Sequence, residues 1–216
     1  ETFHDMQNLF AMQQGKLTIA AMPSFAESKL PALLNDYHRQ FSNIRLRVLD
    51  VVMEATIENV LQGNAEIGFT FEPEVHDGLI FTPLFTDEFV AVMYPGHTLA
   101  SEHMISWHEL LRYPFIAMNR GSAVRRWTEH VAQDIGQLNI IAETGQLGSV
   151  GQFIAQGMGI SVVPAICQSQ MENRGLKCRA IKDNPLKKSV GMVRSQRTGL
   201  SVAAEEFWRL CERAYQ

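Results

Sequence analysis

Two short polar segments of this chain could do chemistry. Ser24 in Met22-Pro23-Ser24-Phe25 and Ser122 in Asn119-Arg120-Gly121-Ser122 each place a hydroxyl where an apolar run gives way to a helical pattern. A serine there can donate and accept hydrogen bonds, and the amides of a helix start attract anions and polar oxygens. Arg120 adds a cation that could meet an anion or could simply sit in solvent at a rim. With Glu27 three residues on, Ser24 also fits the S-x-x-E capping box, so an ordinary strand-to-helix turn with a capping serine reads the same way. These turns contain no Asp, Glu or His to act as acid or base, so the chemistry expected is binding of a small molecule rather than its conversion.

Other reactive residues lead away from catalysis. His97, His103 and His108 lie close together but lack His-x-x-x-His spacing, so a surface role is expected for them and no metal site. Gly157-Met158-Gly159 precedes a strand-like run instead of following one, which speaks against a dinucleotide fingerprint; these glycines are expected to close a helix and let the chain turn tightly. No nucleophile elbow or phosphate-binding loop occurs. Cys167, Cys178 and Cys211 are odd in number and far apart, giving neither a disulfide framework nor a zinc pattern and fitting a reducing, cytoplasmic compartment. No cofactor is indicated.

The elements that must position the two turns repeat. Residues 17–21 read as a buried strand, and from Phe25 the positions Leu30, Leu33, Leu34, Tyr37 and Phe41 recur at helical spacing. Residues 44–52 alternate like a half-wet strand, 53–61 read as a helix stopped by Gly63, and 66–71 as a third strand. Two further strands, 79–85 and 88–94, are expected on either side of Thr86-Asp87, with a Ser106-capped helix through Leu111. A second unit then follows: strand 114–118, the turn 119–122, helix 123–135, strand 139–143, helix 147–156 and strand 160–163. Strands 176–181 and 189–193 and an amphipathic helix 202–215 complete the chain. This β-α alternation predicts an α/β fold with parallel strands in each of two lobes, joined by two strands that form a hinge, with both turns aimed into the cleft between the lobes. Residues 1–14, with Phe3, Met6, Leu9 and Phe10 on a heptad-like seam, read as the tail of a longer helix.

Composition sets the remaining bounds. The chain has 216 residues, 46% of them apolar, enough for a sizeable core, and no run approaches a membrane span. Nineteen basic against 23 acidic side chains give a net charge of −4, which argues against this segment gripping nucleic acid by itself. Arg125-Arg126 and Lys187-Lys188 are expected on solvated faces. Trp107, Trp127 and Trp208 are expected in the core.

Several of these segments together resemble the effector-binding domain of LysR-type transcriptional regulators. They are Gly15-Lys16-Leu17-Thr18-Ile19-Ala20, Leu30-Pro31-Ala32-Leu33-Leu34 and Val60-Leu61-Gln62-Gly63-Asn64-Ala65-Glu66-Ile67-Gly68-Phe69. Pro83-Leu84-Phe85-Thr86-Asp87-Glu88 follows, and the run from Ile154 to Pro164 is similar to the family's G-x-G-I-x-x-x-P segment. The resemblance covers residues 15–216. It implies two Rossmann-like lobes in the type 2 periplasmic-binding-protein-like arrangement, residues 16–86 plus 191–216 in one and 89–188 in the other, with 1–14 as the end of a linker helix.

The resemblance further implies a non-enzymatic sensor that binds a small anionic or aromatic effector in the cleft and so modulates DNA binding and transcription. DNA would be met only through an N-terminal winged helix-turn-helix outside this sequence. Two copies of the domain would pair antiparallel through helices 30–41 and 147–156, with a tetramer in the full-length protein and no membrane partner. Carried over by position, the effector contacts fall on Ser24, Phe25, Met53, Thr70, Phe71, Asn119, Arg120, Gly121, Ser122 and Gln146. Met53 departs from the family, where many members have Thr or Ser; a thioether cannot replace a hydroxyl donor, which favours a more apolar effector at that spot. Peroxide-sensing members use a cysteine pair, but Cys167 and Cys178 lie outside the 119–122 turn and are expected to be inert, partly buried thiols. Two rival readings share the fold: a solute-binding protein of a transport system, and an enzyme such as a dehydratase or deaminase.

Overall fold

The computed structural model of the chain describes residues 3, 5–7 and 15–216. The linker-helix expectation for residues 1–14 therefore falls almost wholly outside the described residues. The chain divides into two compact units, residues 1–86 with 189–216 and residues 87–188. Each is built around β-strands with crossover helices.

In the first unit β1 (Lys16–Ala21) pairs in parallel with β2 (Arg45–Asp50) and with β3 (Ile67–Phe71). The sheet continues through β10 (Lys187–Ser195), antiparallel to β3, to the first half of β4 (Leu79–Met93). All five residues of β3 are buried, as a central strand with apolar runs requires. Gly191, opposite Thr70 in the register, is there because a Cβ would lie 2.1 Å from the Thr82 carbonyl oxygen. The helices are α1 (Pro23–Ser28), α2 (Leu30–Gln40), α3 (Met53–Leu61) and, near the end of the chain, α8 (Val202–Ala214). Phe25 stacks on Phe69 with centroids 4.4 Å apart, and Phe207 meets both Phe69 and Tyr37 edge-on. The Tyr37 hydroxyl donates to the Ala203 carbonyl at 3.0 Å, so the ring is buried without stranding its polar end.

Three expectations for this unit need correction. The stripe from Phe25 to Phe41 is two helices, because Pro31 has no N–H for the preceding turn and crowds its carbonyl; the chain breaks at Lys29. Ser24 is not the cap of α1. Met22 holds that position, no side chain caps the helix, and Ser24 lies one residue inside it after Pro23. The two strands flanking Thr86-Asp87 are one continuous strand, β4, which passes from one unit into the other, as β10 does. Gly63, at φ +78, ends α3 as the spacing predicts.

In the second unit the rest of β4 pairs antiparallel with β8 (Ser161–Pro164) and with β9 (Lys177–Ile181), and β9 pairs in parallel with β5 (Met104–Ile105). A separate parallel pair joins β6 (Pro114–Met118) to β7 (Asn139–Thr144). The helices are α4 (Trp107–Leu110), α5 (Ala123–Gln133), α6 (Leu147–Ala155) and α7 (Gln168–Asn173). Ser106 caps α4 in a complete capping box with Glu109, as its spacing predicts. Gly157, at φ +79, turns the chain out of α6, and a Cβ on Gly159 would lie 2.4 Å from the Pro114 carbonyl oxygen, so the G-x-G serves a turn and a close strand approach. Asn184 ties this unit's interior together. Its amide donates to the Phe89 carbonyl while its oxygen accepts from Trp107 Nε1 and the Leu186 amide. All three tryptophans are buried.

Candidate functional site

The carboxyl edge of β1, β2 and β3 gathers five of the nominated residues. Three parallel strands in register bring their C-terminal ends to one side, and each is followed there by the chain turning away. Met22 donates its amide to the Phe69 carbonyl at 3.0 Å, which seats the Ser24 turn beside the exit of β3. Ser24 is buried, and its hydroxyl bonds to no other described residue. Phe25 turns its ring into the core and leaves only its backbone at the edge, and Phe71 is likewise buried. Met53 opens α3 and is half-buried.

Thr70 is the least ordinary of the five. It is 0% exposed, yet its Oγ1 has no hydrogen-bond partner. Alternation along β3 shows where it points. Phe69 faces the aromatic core, whereas Gly68 faces Thr56 and Val60 of α3, so Thr70 faces α3 as well, one turn nearer its start. That start has no side-chain cap, since Val52 is the cap residue. An unpaired buried hydroxyl beside the positive end of a nine-residue helix is a ready partner for a polar oxygen.

The second unit brings the other five residues to the carboxyl edge of β6 and β7. The Asn119 amide donates to the Thr144 carbonyl at 2.9 Å, Ser122 donates back to the Asn119 carbonyl at 3.2 Å, and Gly121 takes φ +92 to let the chain reverse. Ser122 is the cap residue of α5 but its hydroxyl makes no cap bond, so it remains available. Gln146 caps α6 in the same way, without a side-chain bond. Asn119 and the Gly145-Gln146 turn are neighbours, since a Cβ on Gly145 would lie 3.3 Å from Asn119 Nδ2. Arg120 is exposed and lines a cavity of about 760 Å3 on the α5–β7 side of the unit, together with Arg125, Glu129, Gln133, Asn139 and Glu143.

Arg125 corrects the solvated-face reading of the arginine doublet. It is 4% exposed, and its guanidinium donates to Glu129 (2.6 Å), Glu143 (3.1 Å) and the Met118 carbonyl (2.9 Å). Burial by itself lowers its pKa, but the two carboxylates outweigh that and raise it. A signal for this was present in the sequence: Arg125, Thr128 and Ala132 recur at helical spacing, and all three are buried. Of the second doublet, Lys188 lies over the Trp127 ring at 4.6 Å.

His103 and His108 are exposed, as expected for surface residues, whereas His97 and the cysteines take structural places. His97 Nδ1 accepts from the Leu99 amide at 3.0 Å, its ring sits edge-on to Tyr94 and Tyr113, and burial holds its pKa below the usual imidazole range. Among the described residues no group of three or more His, Cys, Asp or Glu side chains is placed to hold a metal ion. The three thiols are buried; burial pushes Cys178 up to about 11 and Cys211 further. No helix among the described residues is long and apolar enough to cross a membrane.

Two α/β units, each with hydroxyls and amides at the carboxyl edge of its parallel strands, have counterparts among known proteins. The LysR substrate binding domain family matches residues 11–216, and the chain belongs to that family. It is 25% identical over 211 residues to the HTH-type transcriptional regulator YbhD of Escherichia coli K12, which spans 97% of this chain and 67% of that protein. The transcriptional activator LysR of the same organism is 26% identical over 178 residues, 80% of this chain and 56% of the activator. Among solved structures, the effector-binding domain of QuiR in complex with shikimate superposes with a TM-score of 0.86 at 17% identity, covering 94% of this chain and 97% of that one. The Synechocystis PCC6803 CcmR regulatory domain in complex with 2-PG gives 0.84 at 21% identity, covering 94% and 98%. The fold is the type 2 periplasmic-binding-protein-like fold of LysR effector-binding domains.

Proposed function

We propose that this chain is the ligand-sensing part of a non-enzymatic LysR-type regulator, in which a small anionic or aromatic effector engages the carboxyl-edge turns of both units. Thr70 carries the reading. A buried hydroxyl without a partner costs the unliganded protein about 1 to 3 kcal/mol, a cost that a ligand oxygen would relieve. Ser24 and Ser122 supply further hydroxyls, Arg120 a cation, and Met53 a polarisable wall that tolerates an aromatic or aliphatic ligand face. The effector acts by differential affinity. It favours whichever conformation binds it more tightly, and a coupling of about 1 to 3 kcal/mol per site is enough to alter DNA binding.

In this reading DNA is met through a helix-turn-helix elsewhere in the full-length protein, the domain pairs with a second copy, the full-length protein is a tetramer, and the protein works in the cytoplasm. The experiment is a thermal-shift screen of small carboxylates and aromatic metabolites, shikimate among them, followed by calorimetry on hits with Ser24→Ala and Thr70→Val. Effector-dependent stabilisation that both substitutions weaken supports the proposal. Stabilisation by no compound of either class, or tight binding indifferent to both substitutions, overturns it.

A further inference from the structure

We infer that Arg125 is a positioning residue for the 119–122 turn. The inference rests on the proposed function in taking that turn as the second unit's effector contact. The turn has two roots, the end of β6 and the start of α5, and Arg125 reaches both. From the first turn of α5 its Nη1 donates to the carbonyl of Met118, the residue immediately before Asn119, at 2.9 Å. The same nitrogen lies 3.1 Å from Glu143, next to Thr144, whose carbonyl accepts the Asn119 amide. Nε holds Glu129 one turn along α5 at 2.6 Å. A single planar cation thus links β6, β7 and α5 where they meet at the site.

The chemistry needs an arginine. Three acceptors on three elements ask for a fork of N–H groups in fixed geometry, which a lysine ammonium cannot present. The group is 4% exposed, and its Nε and Nη1 are committed to Glu129, Glu143 and the Met118 carbonyl, so it holds backbone and carboxylates in place. Gly121 at φ +92 contributes no side chain to hold the turn; its carbonyl accepts from Arg126 Nη1 at 2.9 Å, and Arg125 fixes the roots on either side. The outer side of the cluster faces the 760 Å3 cavity, which Arg125 lines together with Glu129 and Glu143, and the two carboxylates are far more exposed than the arginine side chain.

Amide hydrogen exchange of the unliganded chain tests this without an effector, so its outcome is separate from that of the ligand screen. In Arg125→Gln and in the milder Glu143→Gln, protection of the Asn119 and Ser122 amides is expected to fall at least tenfold. The Ile116 and Ile160 amides, bonded across the other end of β6, should keep theirs. Arg125→Lys, which keeps the charge and loses the fork, should leave the turn unprotected. Three results overturn the assignment: a uniform loss across the unit in Glu143→Gln, unchanged protection at Asn119, or full recovery with lysine. If the turn loosens as expected and a hit from the screen still binds Arg125→Gln as it binds the wild type, the effector reading of the turn fails while the positioning role stands.

Discussion

Single polar side chains in this protein have their consequences decided by burial. Replacing Thr70 by Val removes a hydroxyl that nothing satisfies, so the unliganded chain should be unchanged or more stable by about 1 kcal/mol in urea denaturation, with effector affinity falling about tenfold. Arg125 is the opposite case. Its loss leaves the Met118 carbonyl short of a donor while Glu129 and Glu143 still reach water, and Arg125→Met should cost about 1 to 2 kcal/mol by the same measurement. The thiols set an alkaline limit. Burial, helped by the Glu172 charge and opposed by Arg179, moves Cys178 from 9.0 to about 11. The folded state therefore keeps the neutral thiol while the unfolded chain ionises first. The contribution is intact below pH 9 and lost as pH rises through 11, so stability should decline over that window, less steeply in Cys178→Ala. Tyr37, raised from 10.0 to about 12 mainly by burial, extends the decline upward.

Elements in this chain are set by where backbone can approach backbone. Gly191 has the Thr82 carbonyl 2.1 Å from any added Cβ, which no side-chain movement can relieve. Gly191→Ala should cost about 3 kcal/mol or more and lower the thermal midpoint accordingly. Gly121 has open space around it and only its φ of +92 to pay for, so Gly121→Ala should cost about 1 kcal/mol by the same thermal measurement while disturbing the turn. The two glycines look alike in sequence. Element type and order were legible because strand and helix periods differ: β6 and α3 fall where apolar spacing put them. The errors have one source. The S-x-x-E pattern at Ser24 could not reveal that Pro23 starts the helix a residue earlier, and the polar pair Thr86-Asp87 could not reveal that β4 runs on through it.

At the scale of the whole molecule, effector binding and folding are linked. An effector that binds only the folded chain stabilises it by about 2.7 kcal/mol at one hundred times its Kd, a rise of roughly 5 to 10 °C in the thermal midpoint for a chain of this size. A single transition that moves as one with ligand is the expected scan, and the same sample in sedimentation should report a dimer. The two-unit α/β class, the places of its turns and the membership of a regulator family were all readable from residue order, because hydrophobic period, helix stops and short motifs are local. What folding alone decided was which polar groups lost water. Thr70 reads as one more strand residue and Arg125 as one half of a basic doublet. Only the packing of α3 over β3, and of α5 against β6 and β7, left the first without a partner and gave the second three, because desolvation depends on neighbours far away along the chain.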